Sequence, residues 1–294
     1  MELSTQLKKL LKLHQVEFIE AGIYRCDSHD LGLGHVFGGQ VMGQALASAQ
    51  QQVPAHRILH SLHAYFLRSG DESLPIVYRV ENMRDGRTYS ARRVEAIQKG
   101  QPIFYMTCSF KEPEKGLEHQ IAMPEVLQPE ALESQAVLMQ PYLDKLPKHA
   151  HAFFEADAAF DMRPVEPLNL ISDGQRSYRQ HVWFRANGTL PTTQRRVHQY
   201  LLAYISDFNF LLAATRVHGL SLVSGKVRMA TIDHAMWFHQ LIDLNEWILY
   251  EVEHSFSGGG RAFVSGRMFN QQGTLVAQMT QEGMLRLKSS AVTN

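Results

Sequence analysis

The chain has 294 residues, and 29 Lys plus Arg balance 29 Asp plus Glu. That length allows two ordinary domains or one large one, and the neutral balance excludes a chain built to meet nucleic acid or a strongly charged membrane surface. Cys26 and Cys108 match no zinc or redox spacing and imply no disulfide framework, and the fifteen histidines place no HxxxH or HExxH pair on a clean helix face, so no metal centre is expected.

The first 22 residues, MELSTQLKKLLKLHQVEFIEAG, carry charges throughout and read as a short amphipathic helix rather than a signal peptide. No later run reaches the roughly 18 apolar residues needed to span a bilayer. The C-terminal SSAVTN is not a peroxisomal address. A reducing, cytoplasmic setting is expected.

A turn-rich loop, CDSHDLGLGHVFGGQ, leads into a predicted helix, GGQVMGQALASAQQ. Gly39, Gly43 and Ala47 recur every fourth residue, a smooth stripe that would let this helix lie close to a sheet. Strand patterns follow: ILHSLHAYFLRSGD, then PIVYRVENMRDG and RTYSARRVEAIQKG across Asp85-Gly86, then QPIFYMTCSF across Lys99-Gly100. Such turns between β-type runs are hairpin signals. Residues 1–112 therefore read as helix plus antiparallel meander. Residues 113–150 are charged and hold five of the eleven prolines, a connector with a helix inside it.

From about residue 151 the order repeats: strands FDMRPVEP and YRQHVWFRA, a helical stretch, then MATIDHAMWFHQ, EWILYEVEHS, RAFVSGRMFNQQG and TLVAQMTQEGMLRLK. HAYF matches HAMW, YRVE matches YEVE, and QKGQPIFYMTCSF matches QQGTLVAQMTQEG in the same order, which marks a duplicated unit. Each unit pairs a helix with an antiparallel sheet, giving an α+β fold whose edge strands could align into one sheet.

The helical stretch RRVHQYLLAYISDFNFLLAAT holds one carboxylate, Asp207, among Ala203, Tyr204, Phe210, Leu211 and Ala214 on a 3.6-residue period. A charge in that company is costly unless it is hydrogen-bonded, so Asp207 either caps a helix restarting at Phe208 or is kept for chemistry.

HVFGGQVMGQALASA, HSLHAYFLRSGD, RDGRTYSARRVEAIQKGQPIFYMTCSF, ATIDHAMWFH, LNEWILYEVEHS and AQMTQEGMLR resemble the acyl-CoA thioesterase II family, of the TesB type, over nearly the whole chain. The resemblance implies a double hotdog fold: two repeats over 1–112 and 151–294, each a long helix wrapped by an antiparallel β-sheet, with the sheets joined edge to edge. It implies hydrolysis of fatty acyl-CoA to free acid and CoA without a metal or redox cofactor, by a dimer or tetramer of identical chains. The family's catalytic Asp, Ser or Thr, and Gln fall on Asp207, Thr231 and Gln281, with His60 a fourth residue sometimes suspected.

No GxSxG elbow is present, so an α/β-hydrolase serine mechanism is not expected. Asp207, ionised at neutral pH if its pKa is the ordinary ~3.9, would activate a water held by Thr231 and Gln281. Sliding the repeats together sets Gln40 opposite Asp207, His60 near Thr231 and Cys108 opposite Gln281, which leaves one chemical site per chain. Gly38, Gly39 and Gln40 open a helix whose N–H groups suit an oxyanion. Arg84, Arg87, Arg92 and Arg93 are either a solvated strand face or contacts for CoA phosphates. Met42, Phe66, Phe208, Trp237 and Phe238 could line the acyl slot. Two rivals stand beside hydrolysis: a hotdog enoyl-thioester hydratase, which would want an Asp-His pair, and a non-catalytic acyl-CoA-binding protein.

Overall fold

The structure, a computed structural model, describes residues 2–145, 159–166, 176–208, 210–220 and 226–288. The N-terminal helix α1 (Thr5–Leu13) is capped by Ser4, whose hydroxyl accepts from Leu7 N at 3.1 Å. It ends well short of the 22 residues expected, because Val16, Phe18 and Ile19 favour an extended chain. There β1 (Glu17–Glu20) forms instead and pairs with β2 (Ile23–Cys26).

Next come α2 (Gly38–Gln50), β3 (Ile58–Phe66), β4 (Ile76–Asp85), β5 (Tyr89–Gln98) and β6 (Gln101–Lys111). The β5–β6 turn places Lys99 and Gly100 at φ 49° and 71°, the left-handed pair that a two-residue hairpin demands. Among its described residues the connector holds a short α3 (Gln135–Met139) between 3₁₀ turns. After it lie β7 (Phe160–Pro164), β8 (Arg179–Ala186), α4 (Arg195–Ser206), α5 (Leu212–Val217), β9 (Val227–Thr231), β10 (Asp233–Phe238), β11 (Ile248–Gly258), β12 (Arg261–Asn270) and β13 (Leu275–Leu287).

All these strands join one antiparallel sheet, in the order β1-β2-β4-β5-β6-β3-β10-β13-β12-β11-β8-β7, with β9 beside β13. The run β4-β5-β6-β3 has its counterpart in β11-β12-β13-β10, and the two halves meet at β3–β10. There His63 faces Ala235 and Ala64 faces His234, so the matched dipeptides of the two repeats lie across from each other in reverse.

Two expectations about helices are corrected. Among the described residues the second repeat shows no single long helix: α4 stops at Asp207, and the separate α5 lies on β11 and β12. The small-residue stripe of α2 meets a helix rather than the sheet. A Cβ on Gly39 would overlap the Tyr204 carbonyl, and one on Gly43 would sit 3.0 Å from that of Tyr200. Bulkier residues would hold α2 and α4 apart. The two helices run antiparallel, and Arg196 at the start of α4 donates to the Gln50 and Val53 carbonyls at 2.5 and 2.6 Å, satisfying the C-terminal end of α2. The stripe's opposite side packs on β4, β5 and β6, so Gly39 through Gln50 are all buried.

Helix α1 docks on this pair. His14 stacks on Tyr200 with ring centroids 5.2 Å apart, and its Nδ1 donates to Leu10 O. The connector is no free linker. Trp183 donates to Leu127 O at 2.9 Å, and Met123, Val126 and Leu132 cover Trp183, Trp247, Leu249, Phe269 and Leu275 on the second half of the sheet. No described helix is long and apolar enough to cross a membrane.

Candidate active site

Asp207 ends α4, where a carboxylate meets the unfavourable end of its own helix dipole. The fold offsets this by aiming the start of α2 at it. A Cβ on Gly38 would lie 2.6 Å from Asp207 Oδ2, and the Gly39 N–H donates to the carboxylate. Glycine is required at this approach because any side chain would occupy the carboxylate's place. The α2 start has no side-chain cap, so its first N–H groups remain for a ligand or a carboxylate.

The strands supply the rest. Thr231 closes β9 opposite Gly283, and Gln281 lies in β13 opposite Val264. Gln281 Nε2 donates to Thr231 Oγ1 at 2.7 Å, and Thr231 Oγ1 donates to Asp207 Oδ1 over a long 3.5 Å. The three residues assigned from sequence are therefore brought together. His234, fully buried on β10, completes the line: its Nδ1 donates to Gln281 Oε1 at 2.9 Å. Because Oε1 can only accept, this bond points the Gln281 amide N–H groups toward Thr231. Ser206 Oγ stands 3.2 Å from His234 Nε2, and the Ser206 carbonyl accepts from the Tyr250 hydroxyl at 2.8 Å. Burial pushes the His234 pKa down to about 4, the Gln281 bond opposing it, so the ring is neutral at physiological pH.

Asp207 does not keep an ordinary pKa. Burial raises it to about 7, against bonds from Gln281, Gly39 N–H and Thr231 that favour the anion. The ordinary value assumed from sequence is corrected accordingly. A carboxylate that ionises near neutrality is suited to take a proton from water and return it.

His60 lies elsewhere. Its Nε2 meets Ser109 Oγ at 2.8 Å and its ring stands edge-on to Tyr89. His60→Ala should leave kcat/KM for acyl-CoA within about threefold of the parent; a loss above tenfold in a folded variant would return it to the chemistry. Burial raises the Cys108 thiol to about 12, which leaves it unreactive. Arg92 is 2% exposed and donates to Asn82, Asp85 and the Gln52 carbonyl, so it is a core residue and not a phosphate contact. Arg93 pairs with Glu95 at the surface. Of the residues suggested for an acyl slot, Phe66 reaches the site: its ring would meet a Gly38 Cβ at 2.9 Å. Phe208 stands next to Asp207 and edge-on to Phe37. Met42 is fully buried core. Trp237 and Phe238 occupy the far end of β10 from Thr231.

Tyr250 and Phe37 were not assigned from sequence, and His234, the one histidine the hydratase reading could pair with Asp207, bonds Gln281 instead.

The comparisons agree with this architecture. A protein of unknown function from Alicyclobacillus acidocaldarius with a hot dog fold superposes with a TM-score of 0.75 at 16% identity, over 95% of this chain and 98% of that one. The class is therefore the hotdog fold. The family model described as acyl-CoA thioesterase matches residues 149–284, and that described as acyl-CoA thioesterase N-terminal domain matches residues 28–111. The chain is 42% identical to acyl-CoA thioesterase 2 of Haemophilus influenzae over 97% of this chain and 99% of that one. It superposes on the acyl-CoA thioesterase II TesB2 of Mycobacterium marinum with a TM-score of 0.78 at 35% identity, over 95% and 99% of the two chains. The chain belongs to the acyl-CoA thioesterase II family.

Proposed function

We propose that the protein hydrolyses fatty acyl-CoA to free acid and CoA through a water activated by Asp207, with no covalent intermediate. Thr231 Oγ1 and the Gln281 amide hold the water. Asp207 accepts its proton as the oxygen attacks the thioester carbonyl carbon. The Gly39 N–H is engaged by Asp207, which leaves the Gly38 N–H at the α2 start to receive the oxyanion. The tetrahedral species then breaks its C–S bond, and Asp207 returns the proton to the departing thiolate. The observation that carries this reading is one half-buried carboxylate, wired to Thr231 and Gln281 and seated at the start of α2. Phe37, Phe66 and Phe208 form the apolar wall for the acyl chain near the carbonyl.

The hydratase alternative wants an Asp-His pair. His234 instead bonds Gln281 and Ser206, away from Asp207. The binding-protein alternative has no use for a carboxylate held near pH 7.

The double hotdog arrangement, with units over 1–112 and 151–294 and a connector over 113–150, is part of this proposal. The matched strand orders and the β3–β10 junction support it. Assembly into dimers or tetramers is proposed on the exposed outer face of the central strands, where Tyr65 and Tyr105 stack at 5.6 Å.

With Asp207 at about 7, kcat/KM for thiol release should be level above that pH and fall roughly tenfold per pH unit below it. A profile measured from pH 5 to 9 that stays flat to pH 5 would remove Asp207 as the base.

A further inference from the structure

The proton on every group behind Asp207 is fixed by what Asp207 can accept. An ionised carboxylate donates nothing, so Thr231 Oγ1 spends its one proton on Asp207 Oδ1. Thr231 Oγ1 can then only accept from Gln281, whose amide nitrogen stands 2.7 Å away. The same amide also bonds the Asp207 carboxylate. Its Oε1 is left facing His234 Nδ1 at 2.9 Å, so Nδ1 carries the ring proton. The ring is neutral, Nε2 is therefore bare, and Ser206 Oγ at 3.2 Å donates to it. Ser206, His234, Gln281 and Thr231 thus form a row of donors that point one way and end on the carboxylate.

The same groups can also be arranged in the opposite direction, which would undo the site. Ser206 Oγ has a second acceptor, the Ala203 carbonyl at 2.8 Å. With its proton there, the ring would donate from Nε2 to Ser206 and accept at Nδ1. The Gln281 amide would then turn over, its Oε1 would take the Thr231 proton, and oxygen lone pairs would face Asp207. The two ends of an amide have nearly the same shape, so packing alone does not choose between them. The partner of Oε1 chooses. Ser206, His234 and Gln281 are at most 1% exposed, so solvent does not substitute for that partner.

The surroundings leave this choice to His234. From β11 the Tyr250 hydroxyl donates to the Ser206 carbonyl at 2.8 Å. Burial raises its pKa well above the usual phenol value, with the Asp207 charge adding to the rise, so it stays protonated. The Phe210 ring covers His234, with centroids 5.7 Å apart. The start of α2 brings Gly38, Gly39 and Gln40, which carry no charge. Asp233 and Glu282 follow the strand alternation to the outer face, where the Glu282 N–H donates to Asp233 Oδ1 at 2.9 Å.

We propose that His234 is a positioning residue for the hydrolysis: as the neutral Nδ1–H tautomer it holds the Gln281 amide so that the donors of the row serve the Asp207 anion. This rests on the Asp207 reading above. Hydrogen bonds to a charged form favour that form, so His234 lowers the pH at which Asp207 becomes a usable base.

The test uses the whole chain and begins with the tautomer. In ¹⁵N spectra of histidine-labelled protein at pH 8, the His234 ring, assigned by its absence from His234→Asn, should carry a proton on Nδ1 and none on Nε2. His234→Phe keeps a flat ring but cannot donate. It should raise the Asp207 titration, read from ¹³C-carboxyl-labelled aspartate, by about one pH unit, the worth of one hydrogen bond to a charge. The acid limb of kcat should move up with it. At pH 8 kcat should fall roughly tenfold or more, because the water is held less well, while KM stays within about threefold. His234→Asn, whose amide N–H can stand where Nδ1–H does, should bring titration and limb back toward the parent. A ring protonated on Nε2 at pH 8 would overturn the proposal, and it decides the matter if the Phe variant does not fold. So would a folded Phe variant with the parental titration, or an Asn variant displaced as far as the Phe one. Thiol release by the parent is measured alongside. Its absence counts against the hydrolysis reading, while the tautomer and the Asp207 titration still score His234.

Discussion

Asp207→Asn is expected to lower kcat/KM for thiol release from palmitoyl-CoA by ~10²–10⁴ while making the chain more stable at pH 8. The activity follows from the role. Asn keeps the shape and can still meet Thr231, but it cannot take a proton from water. The stability follows from the same burial that tunes the site. The folded chain holds the Asp207 pKa at about 7, whereas the unfolded chain has ~3.9. Below pH ~4 the group is protonated in both states and carries no penalty. Between these values the folded state binds more protons than the unfolded one, so stability falls as pH rises and the full loss is present above 7. A rise of this size corresponds to at most roughly 4 kcal/mol. Asp207 keeps partial contact with water, so a gain of about 1–2 kcal/mol is expected for the Asn variant at pH 8, vanishing near pH 4. Urea unfolding at both pH values checks the sign, and a variant less stable at pH 8 than the parent would contradict the strain assigned to the carboxylate.

Gly39→Ala should lower both stability and rate. A methyl there overlaps the Tyr204 carbonyl and would come within 2.9 Å of the Phe37 ring. Better helix propensity returns about 1 kcal/mol at most. Overpacking against backbone that cannot rotate away costs about 1–3 kcal/mol or more, so a net loss of about 2 kcal/mol is expected. The larger effect is on rate. Relief requires α2 to move away from α4, and the start of α2 holds both the Gly39 bond to Asp207 and the oxyanion donor. A displacement of about 1 Å at that point costs on the order of 10²-fold in kcat. Thiol-release kinetics beside urea unfolding separate the two effects. A folded variant with parental kcat would show that the α2 start is not part of the site.

The hairpins β4–β5–β6 were legible because Asp85-Gly86 and Lys99-Gly100 encode their turns locally. That two sheets could join at their edges was legible from the repeat, but not that β3 and β10 are the strands that meet. Asp207, Thr231 and Gln281 came from family resemblance, and no periodicity in the chain would have joined positions so far apart. The break after Asp207 matches the helix-cap alternative, but the apolar run, which continues past Asp207 without Gly or Pro, did not select it. The partner of the Gly39–Gly43 stripe was equally unreadable, since a smooth face suits a helix as well as a sheet. His234 reads in sequence like any strand histidine. Its place beside Gln281 depends on β13 returning next to β10, which is a long-range event. The Asp207 pKa depends on burial that only the packed structure defines.

The central claim is direct attack by water, and a single turnover in ¹⁸O-water tests it. With enzyme in excess over palmitoyl-CoA, the released acid should carry one ¹⁸O, and the intact chain should show its unmodified mass at every time point. An acylated chain trapped during the turnover, or ¹⁸O found in Asp207 and missing from the acid, would contradict the account and make Asp207 a nucleophile.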